Sequence, residues 1–156
     1  MADQNLVVQK VRAAIKDRAL YLALMLRSFS KVLPSQQVEA LAREAIFEYG
    51  QLKGKRDHQP MTPESWVDSH VSKGSAAVFE SRIVKAEDHC EQQMTFCPLV
   101  EAWQELGCSP QEIDKLCDIA MEVDRGRAAY HGIPLDITHR LAKGDSYCCL
   151  VLHQKQ

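Results

Sequence analysis

Residues 77–96, AVFESRIVKAEDHCEQQMTF, mark the point where the chain stops reading as helix. Apolar residues here no longer recur at three- and four-residue steps. The segments VFESRIVKA (78–86) and EQQMTF (91–96) read instead as two strands joined near Glu87 to Cys90, a β-hairpin.

Upstream of this stretch the pattern is helical throughout. Between residues 6 and 33, Leu6, Val7, Val11, Ala14, Ile15, Leu22, Met25, Leu26, Phe29 and Val32 keep helical spacing up to Pro34, as one long helix or two broken ones. Ser35 is then an N-cap for a second amphipathic helix carrying Val38, Leu41, Ala42, Ala45, Ile46, Tyr49 and Leu52, which stops before Gly54. KGKRDHQP (53–60) has no apolar side chain and reads as a solvated loop, and Thr62-Pro63 opens a short helix reaching about Val71.

Downstream, Pro98 to Gly107 returns to helix, with Leu99, Val100, Trp103 and Leu106 on one side and Trp103 in the core. Ser109-Pro110-Gln111-Glu112 is a capping box with proline at the first helical position, and Ile113, Leu116, Cys117, Ala120 and Val123 form the buried stripe of that helix. Past Gly132, Leu135, Ile137, His139 and Leu141 alternate, a Lys143-Gly144-Asp145 turn follows, and YCCLVLH (147–153) closes the chain as a strand. The expected fold is α+β: a helical N-terminal half, then β-hairpin, two helices and β-hairpin, giving an antiparallel sheet of about four strands covered by helices. At 156 residues the chain is read as one domain, 1–156, with a helical part at 1–73 and a sheet-containing part at 77–156.

Charge and composition exclude several functions. The 19 basic and 21 acidic residues nearly cancel and no basic block is interleaved with aromatics, so nucleic acid is not an expected partner. The longest apolar run, Ala19 to Leu26, lies between Arg18 and Arg27 and falls short of the roughly 20 residues a membrane helix needs. MADQNLVVQKVRAAIKDR lacks the pattern of a secretory signal, which points to the cytoplasm and, with ordinary hydrophobic content, to reduced thiols. The apolar stripes of the N-terminal helices are long for so small a chain, and packing across a homo-oligomer is one expectation from them.

All six cysteines (Cys90, Cys97, Cys108, Cys117, Cys148, Cys149) lie in the C-terminal half. Cys97 precedes Pro98 and so stands at a helix start, where free N–H groups and the helix dipole stabilise a thiolate and lower the pKa. Glu101, one turn on, is positioned to act as acid or base at the same site. Asp118 adjoins Cys117 beside a buried stripe, where a carboxylate must be paired or used. Cys148 and Cys149 are strand neighbours pointing to opposite faces, so only one of them reaches a given site. No CxxC, HxxxH or HExxH spacing occurs, and no Gly-rich phosphate loop or GxSxG elbow is present. A zinc or iron ion held by Cys97, Cys117 and Cys148 with Asp118 is open as a spatial arrangement, as is a site without cofactor.

Three segments, FCPLVEAWQELG (96–107), LCDIAMEVD (116–124) and AKGDSYCCL (142–150), together make the chain resemble the L-2-amino-thiazoline-4-carboxylic acid hydrolase family. The resemblance covers about the C-terminal 60 residues with order and spacing intact. It implies a small cytoplasmic hydrolase that opens a cyclic C–N bond in 2-aminothiazoline-4-carboxylate, a small-molecule substrate. It carries over Cys97 with Glu101, Cys117 with Asp118, and Gly144-Asp145 with Cys148. Cys97, Asp118 and Glu101 are then the catalytic candidates, and Cys117, Cys148 and Asp145 the substrate-binding ones. The chemistry admits a Cys97 nucleophile with protons shuttled by Asp118 or Glu101, or a thiolate-bound metal activating water. Arg82, Arg125, Arg140 and Lys143 are cations able to meet a substrate carboxylate. A different class, a non-catalytic sensor whose cysteines hold a metal or small ligand, fits the same residues.

Overall fold

The computed structural model describes residues 2–57 and 59–155. The fold is α+β. Helices α1 (Ala2–Phe29), α2 (Ser35–Arg56), α3 (Pro63–Ser72) and α4 (Ser75–Phe79) come first. Strands β1 (Ser81–Lys85) and β2 (His89–Met94) follow, then α5 (Pro98–Glu105), α6 (Pro110–Ala120) and α7 (Glu122–His131). Strands β3 (Leu135–His139) and β4 (Cys148–His153) close the chain. The sheet is antiparallel throughout in the order β1-β2-β4-β3, so the two hairpins join through β2 and β4, with Met94 opposite Cys148 and Cys90 opposite Leu152. Residues paired across an antiparallel ladder share a face. The face carrying Cys90, Met94, Cys148, Leu150 and Leu152 is buried, with Trp66 and Val67 of α3 and Ala128 of α7 packed on its Cys90–Leu152 end.

Several readings of local sequence differ from the structure. The segment read as the first strand begins as helix: α4 runs to Phe79, and Glu80 turns the chain with φ 52° before β1 starts at Ser81. The cause lies far off in sequence, because Arg12 donates from Nε to the Val78 carbonyl at 2.9 Å and from Nη2 to the Ala77 carbonyl at 3.3 Å, satisfying carbonyls that a short helix leaves free.

The expected loop at 53–60 is helix as far as Arg56, and His58 lies outside the described residues. Gly54 does not end α2. It packs on Tyr130, where an added Cβ would come within 2.7 Å of the tyrosine Cβ. One turn earlier, Gly50 and Gly126 let the backbones of α2 and α7 touch, since a Cβ at Gly126 would stand 2.1 Å from the Phe47 carbonyl oxygen. Nor is Ser35 the cap of α2. It is the first helical residue, preceded by Pro34, and makes no side-chain cap bond.

Between the hairpins stand three helices rather than two. The stripe from Ile113 to Val123 breaks at Met121, because α6 packs toward α5 while α7 turns to lie along α2. Arg125 Nη1 donates to the Asp118 carbonyl at 2.9 Å across that break. The capping box at its start is half realised. Ser109 Oγ accepts from the Glu112 N–H at 3.1 Å, while the Glu112 carboxylate takes both Nε and Nη2 of Arg27 at 2.7 and 2.9 Å. In the last hairpin Leu141 leaves the alternation for a single 3-10 turn (Leu141–Lys143), closed by Gly144 at φ 93°.

The core sits between α1, α5 and α6, around Trp103, which is fully buried with its indole N–H donating to the Ala19 carbonyl at 2.9 Å. Ala19 and Ala23 are equally buried, and their small side chains let α5 approach α1 closely.

Candidate functional site

The site is built on the junction of β2 and α5. Thr95 and Phe96 are fastened to the end of α4, with the Phe96 N–H donating to the Phe79 carbonyl at 3.1 Å and the Arg12 guanidinium 4.1 Å above the Phe96 ring. That anchoring fixes Cys97 as the N-cap of α5, extended at φ −137°, with Pro98 at the first helical position. The N–H groups of Leu99 and Val100 face the sulfur and favour its thiolate, although no formed cap hydrogen bond results.

Burial outweighs them. Cys97 packs against the cluster around Trp103 and Cys117, and its pKa lies above the ordinary thiol value of 9.0. The expected acidic thiol is therefore a protonated one at neutral pH. Local helix-start geometry is as read, but low-dielectric surroundings supplied by distant residues reverse its effect.

Two of the other predicted thiols join it. Burial pushes Cys117 up to about 12, with the neighbouring Cys97 and Cys148 adding to the rise. Cys148 is pushed up to about 11 by burial and by Cys97, while the Leu141 N–H, donating to its sulfur at 3.1 Å, acts in the opposite sense. Cys97, Cys117 and Cys148, from α5, α6 and β4, are thus close enough to shape one another's ionisation. Cys97 is the accessible member, since Cys117 and Cys148 are buried. Asp145 acts on Cys148 through its charge, and its Oδ2 accepts from the Arg140 N–H at 2.8 Å.

The carboxylates are placed differently. Asp118 is held between arginines, with Oδ2 2.7 Å from Arg43 Nη2 and Oδ1 2.8 Å from Arg125 Nη2 and 3.4 Å from Arg140 Nη1. Burial opposes its charge, but the bonds from Arg125 and Arg43 prevail and hold its pKa below the ordinary value. Asp118 is consequently a fixed anion. Glu101 turns to α1, where it meets Lys16 Nζ at 2.7 Å beside Glu105 at 2.8 Å.

The carboxyl whose surroundings favour the protonated form is Asp124 of α7, where burial outweighs the nearby Lys53, Arg127, Arg18 and Arg125. Of the cations read as partners for a substrate carboxylate, Arg140 favours the charged forms of Cys117 and Cys148, but also stands 2.7 Å from Asp114 Oδ1. That approach is oblique and leaves Oδ1 without a well-aligned hydrogen bond. Arg125 is committed to Asp118 and Glu122.

Sequence reasoning missed Arg43, which lies on a helix read only for its apolar stripe. The spacing of Asp114 and Asp118, four apart on α6, carried a usable signal for an arginine between them.

The remaining thiols lie elsewhere. Cys149 points to the opposite sheet face, where its Sγ donates to Glu91 Oε2 at 3.7 Å, Cys108 accepts from Arg27 Nη2 at 3.2 Å, and Cys90 is enclosed under Trp66. Among the described residues no group of three or more His, Cys, Asp or Glu side chains is arranged to hold a metal ion, so the thiols as placed do not make a ligand set. Among the same residues no helix is long and apolar enough to cross a membrane.

The sequence model of a protein family described as L-2-amino-thiazoline-4-carboxylic acid hydrolase matches residues 12–151. No curated protein matches the chain.

Proposed function

Because the chain belongs to the L-2-amino-thiazoline-4-carboxylic acid hydrolase family, we propose that it hydrolyses a small cyclic amidine such as 2-aminothiazoline-4-carboxylate, opening the ring C–N bond at Cys97 beside Cys117 and Cys148. The observation that carries this reading is the grouping of three thiols from the three family-like segments, with the accessible one, Cys97, at a helix start.

A thiol protonated at rest suits an amidine. The Cys97 sulfur adds to the ring carbon between sulfur and nitrogen, and the thiol proton passes to the basic ring nitrogen. In the adduct the C–N bond breaks with its electron pair going to nitrogen, which departs as an amine after taking a proton from the exocyclic amino group. The carbon stays on Cys97 as a dithiocarbonimidate, a C=NH carbon bonded to both the Cys97 sulfur and the substrate sulfur. Water adds to it, and Cys97 leaves as the thiol, giving an open-chain S-carbamoyl product.

Asp124, whose surroundings favour the acid form, is the group we assign to relaying the proton to the departing nitrogen. Asp118, fixed as an anion among arginines, positions Arg140 beside Cys117. Glu101 has no part in the chemistry. Cys117, Cys148 and Asp145 are the groups we assign to holding the substrate beside Cys97. The six unpaired thiols support a reducing, cytoplasmic setting.

Release of free amine from 2-aminothiazoline-4-carboxylate tests the assignment. Cys97→Ala should lower turnover by about 10³-fold or more with unchanged far-UV circular dichroism, and Asp124→Asn should lower kcat with little change in KM. Turnover retained by Cys97→Ala removes the nucleophile.

A further inference from the structure

Helix α1 has two apolar sides, and only one is covered. Ala19 and Ala23 are fully enclosed against α5, yet Val7, Val11, Ala14, Arg18, Tyr21 and Met25 are all exposed on another side of the same helix, with Tyr21 at 70%. Their spacing alternates four and three residues over nearly three heptads, the pattern of a seam between two helices rather than of a helix resting on a globule. Val11, Arg18 and Met25 fall on one line of the seam, and Val7, Ala14 and Tyr21 on the other.

The amount of surface matches a stable interface. With Leu24, Phe29 and Val32 beside it, each at least half exposed, the stripe presents roughly 800 Å² of side-chain surface, about what one partner of a standard-size complex gives up. An apolar patch this large on a small chain marks a contact site.

The charges beside the seam point to the occupant. Lys10 and Asp17 flank it one heptad apart, both exposed and neither in an ion pair among the described residues. Lys16, by contrast, is committed to Glu101 and Glu105. Two copies of α1 laid antiparallel about an axis between residues 13 and 14 bring Lys10 of each onto Asp17 of the other, twice by symmetry, with Val11 beside Ala14 across the axis. A stripe carrying one charge of each sign at this spacing complements itself.

We propose that this face of α1 is the interface of a homodimer, formed by antiparallel packing of α1 against α1 of a second copy. Size-exclusion chromatography with light scattering on the full chain should give twice the 17.6 kDa monomer mass at micromolar concentration. Tyr21→Glu should give the monomer mass with an unchanged circular dichroism spectrum. Lys10→Asp should weaken the dimer about tenfold or more by opposing two like-charged pairs, and Lys10→Asp combined with Asp17→Lys should restore it. A monomer mass for the wild-type chain across the concentration range contradicts the proposal and leaves the stripe to a different partner. A dimer that ignores Tyr21→Glu uses another face and overturns it as well, and failure of the double reversal to restore association overturns the antiparallel register.

Discussion

The seam between α2 and α7 and the set of three thiols both hold buried polar groups, but they are finished in opposite ways. In the seam, Gly50 and Gly126 bring the helix backbones into contact. At its end Asp57 accepts from Arg127 Nε and Nη2 at 2.8 Å each and from His131 Nε2 at 2.9 Å, while the Met61 N–H occupies His131 Nδ1 at 3.3 Å. Arg127 in turn lies 4.4 Å over the Trp66 ring. Every one of these groups has a partner, and the histidine, bonded at both nitrogens, has no atom left for a substrate.

Burial holds the three thiols toward neutrality rather than ion pairs consuming them, and Cys97 is only partly buried. Saturated polar groups hold a fold together, whereas chemistry needs a group the fold has left unspent.

The sharpest way to break the contrast is at the seam itself. Gly126→Ala places a Cβ within 2.1 Å of the Phe47 oxygen, a backbone atom that cannot move aside without separating the helices. Urea unfolding should show a loss of about 3 kcal/mol or more, and a stability change below about 1 kcal/mol would mean the two helices are not in backbone contact.

Asp57 gives the next effect. Burial alone would raise its pKa, but Arg127 and His131 hold it down to about 2 against 3.8 ordinarily. A folded pKa below the unfolded one contributes stability that is complete above about pH 5 and disappears as the pH falls through 3.8 toward 2. Asp57→Asn should therefore cost about 2–3 kcal/mol at pH 7, and the gap from the wild-type chain should narrow between pH 5 and pH 2. A gap independent of pH would assign the cost to packing instead.

The smallest effect is expected at Glu101, which is engaged with Lys16 on the surface side of α5. Glu101→Gln should leave both the melting temperature and turnover unchanged. A large fall in kcat would return Glu101 to the site.

The same division governs what the sequence makes legible. Period and punctuation mark the hairpins, the start of α6 at Ser109-Pro110 and the helix start at Cys97, because caps, prolines and alternation act over a few residues. They are silent where the cause is distant. The end of α4 depends on Arg12, the extension of α2 past Gly54 depends on Tyr130, and the break at Met121 depends on which helices α6 and α7 meet.

At the site, Cys97, Cys117 and Cys148 come from the family-like segments, and the expectation of an acidic Cys97 rests on its helix start, whereas burial acts in the opposite direction. A helix start is a local feature and desolvation is not. Asp118 and Glu101 were read from neighbours in sequence, but Arg43, Arg125 and Lys16 decide what each carboxylate does.

The central claim is that Cys97 is the available thiol of the six. Peptide-resolved alkylation by iodoacetamide tests it directly. Cys97 should be labelled first, more than about tenfold faster than the buried Cys90, Cys117, Cys148 and Cys149. Because its pKa lies above 9.0, its rate should climb with pH through pH 9, about tenfold per unit below that pKa, and 2-aminothiazoline-4-carboxylate should protect it. Labelling of Cys97 no faster than of Cys117 and Cys148, or a rate already at its plateau near pH 7, would contradict the account.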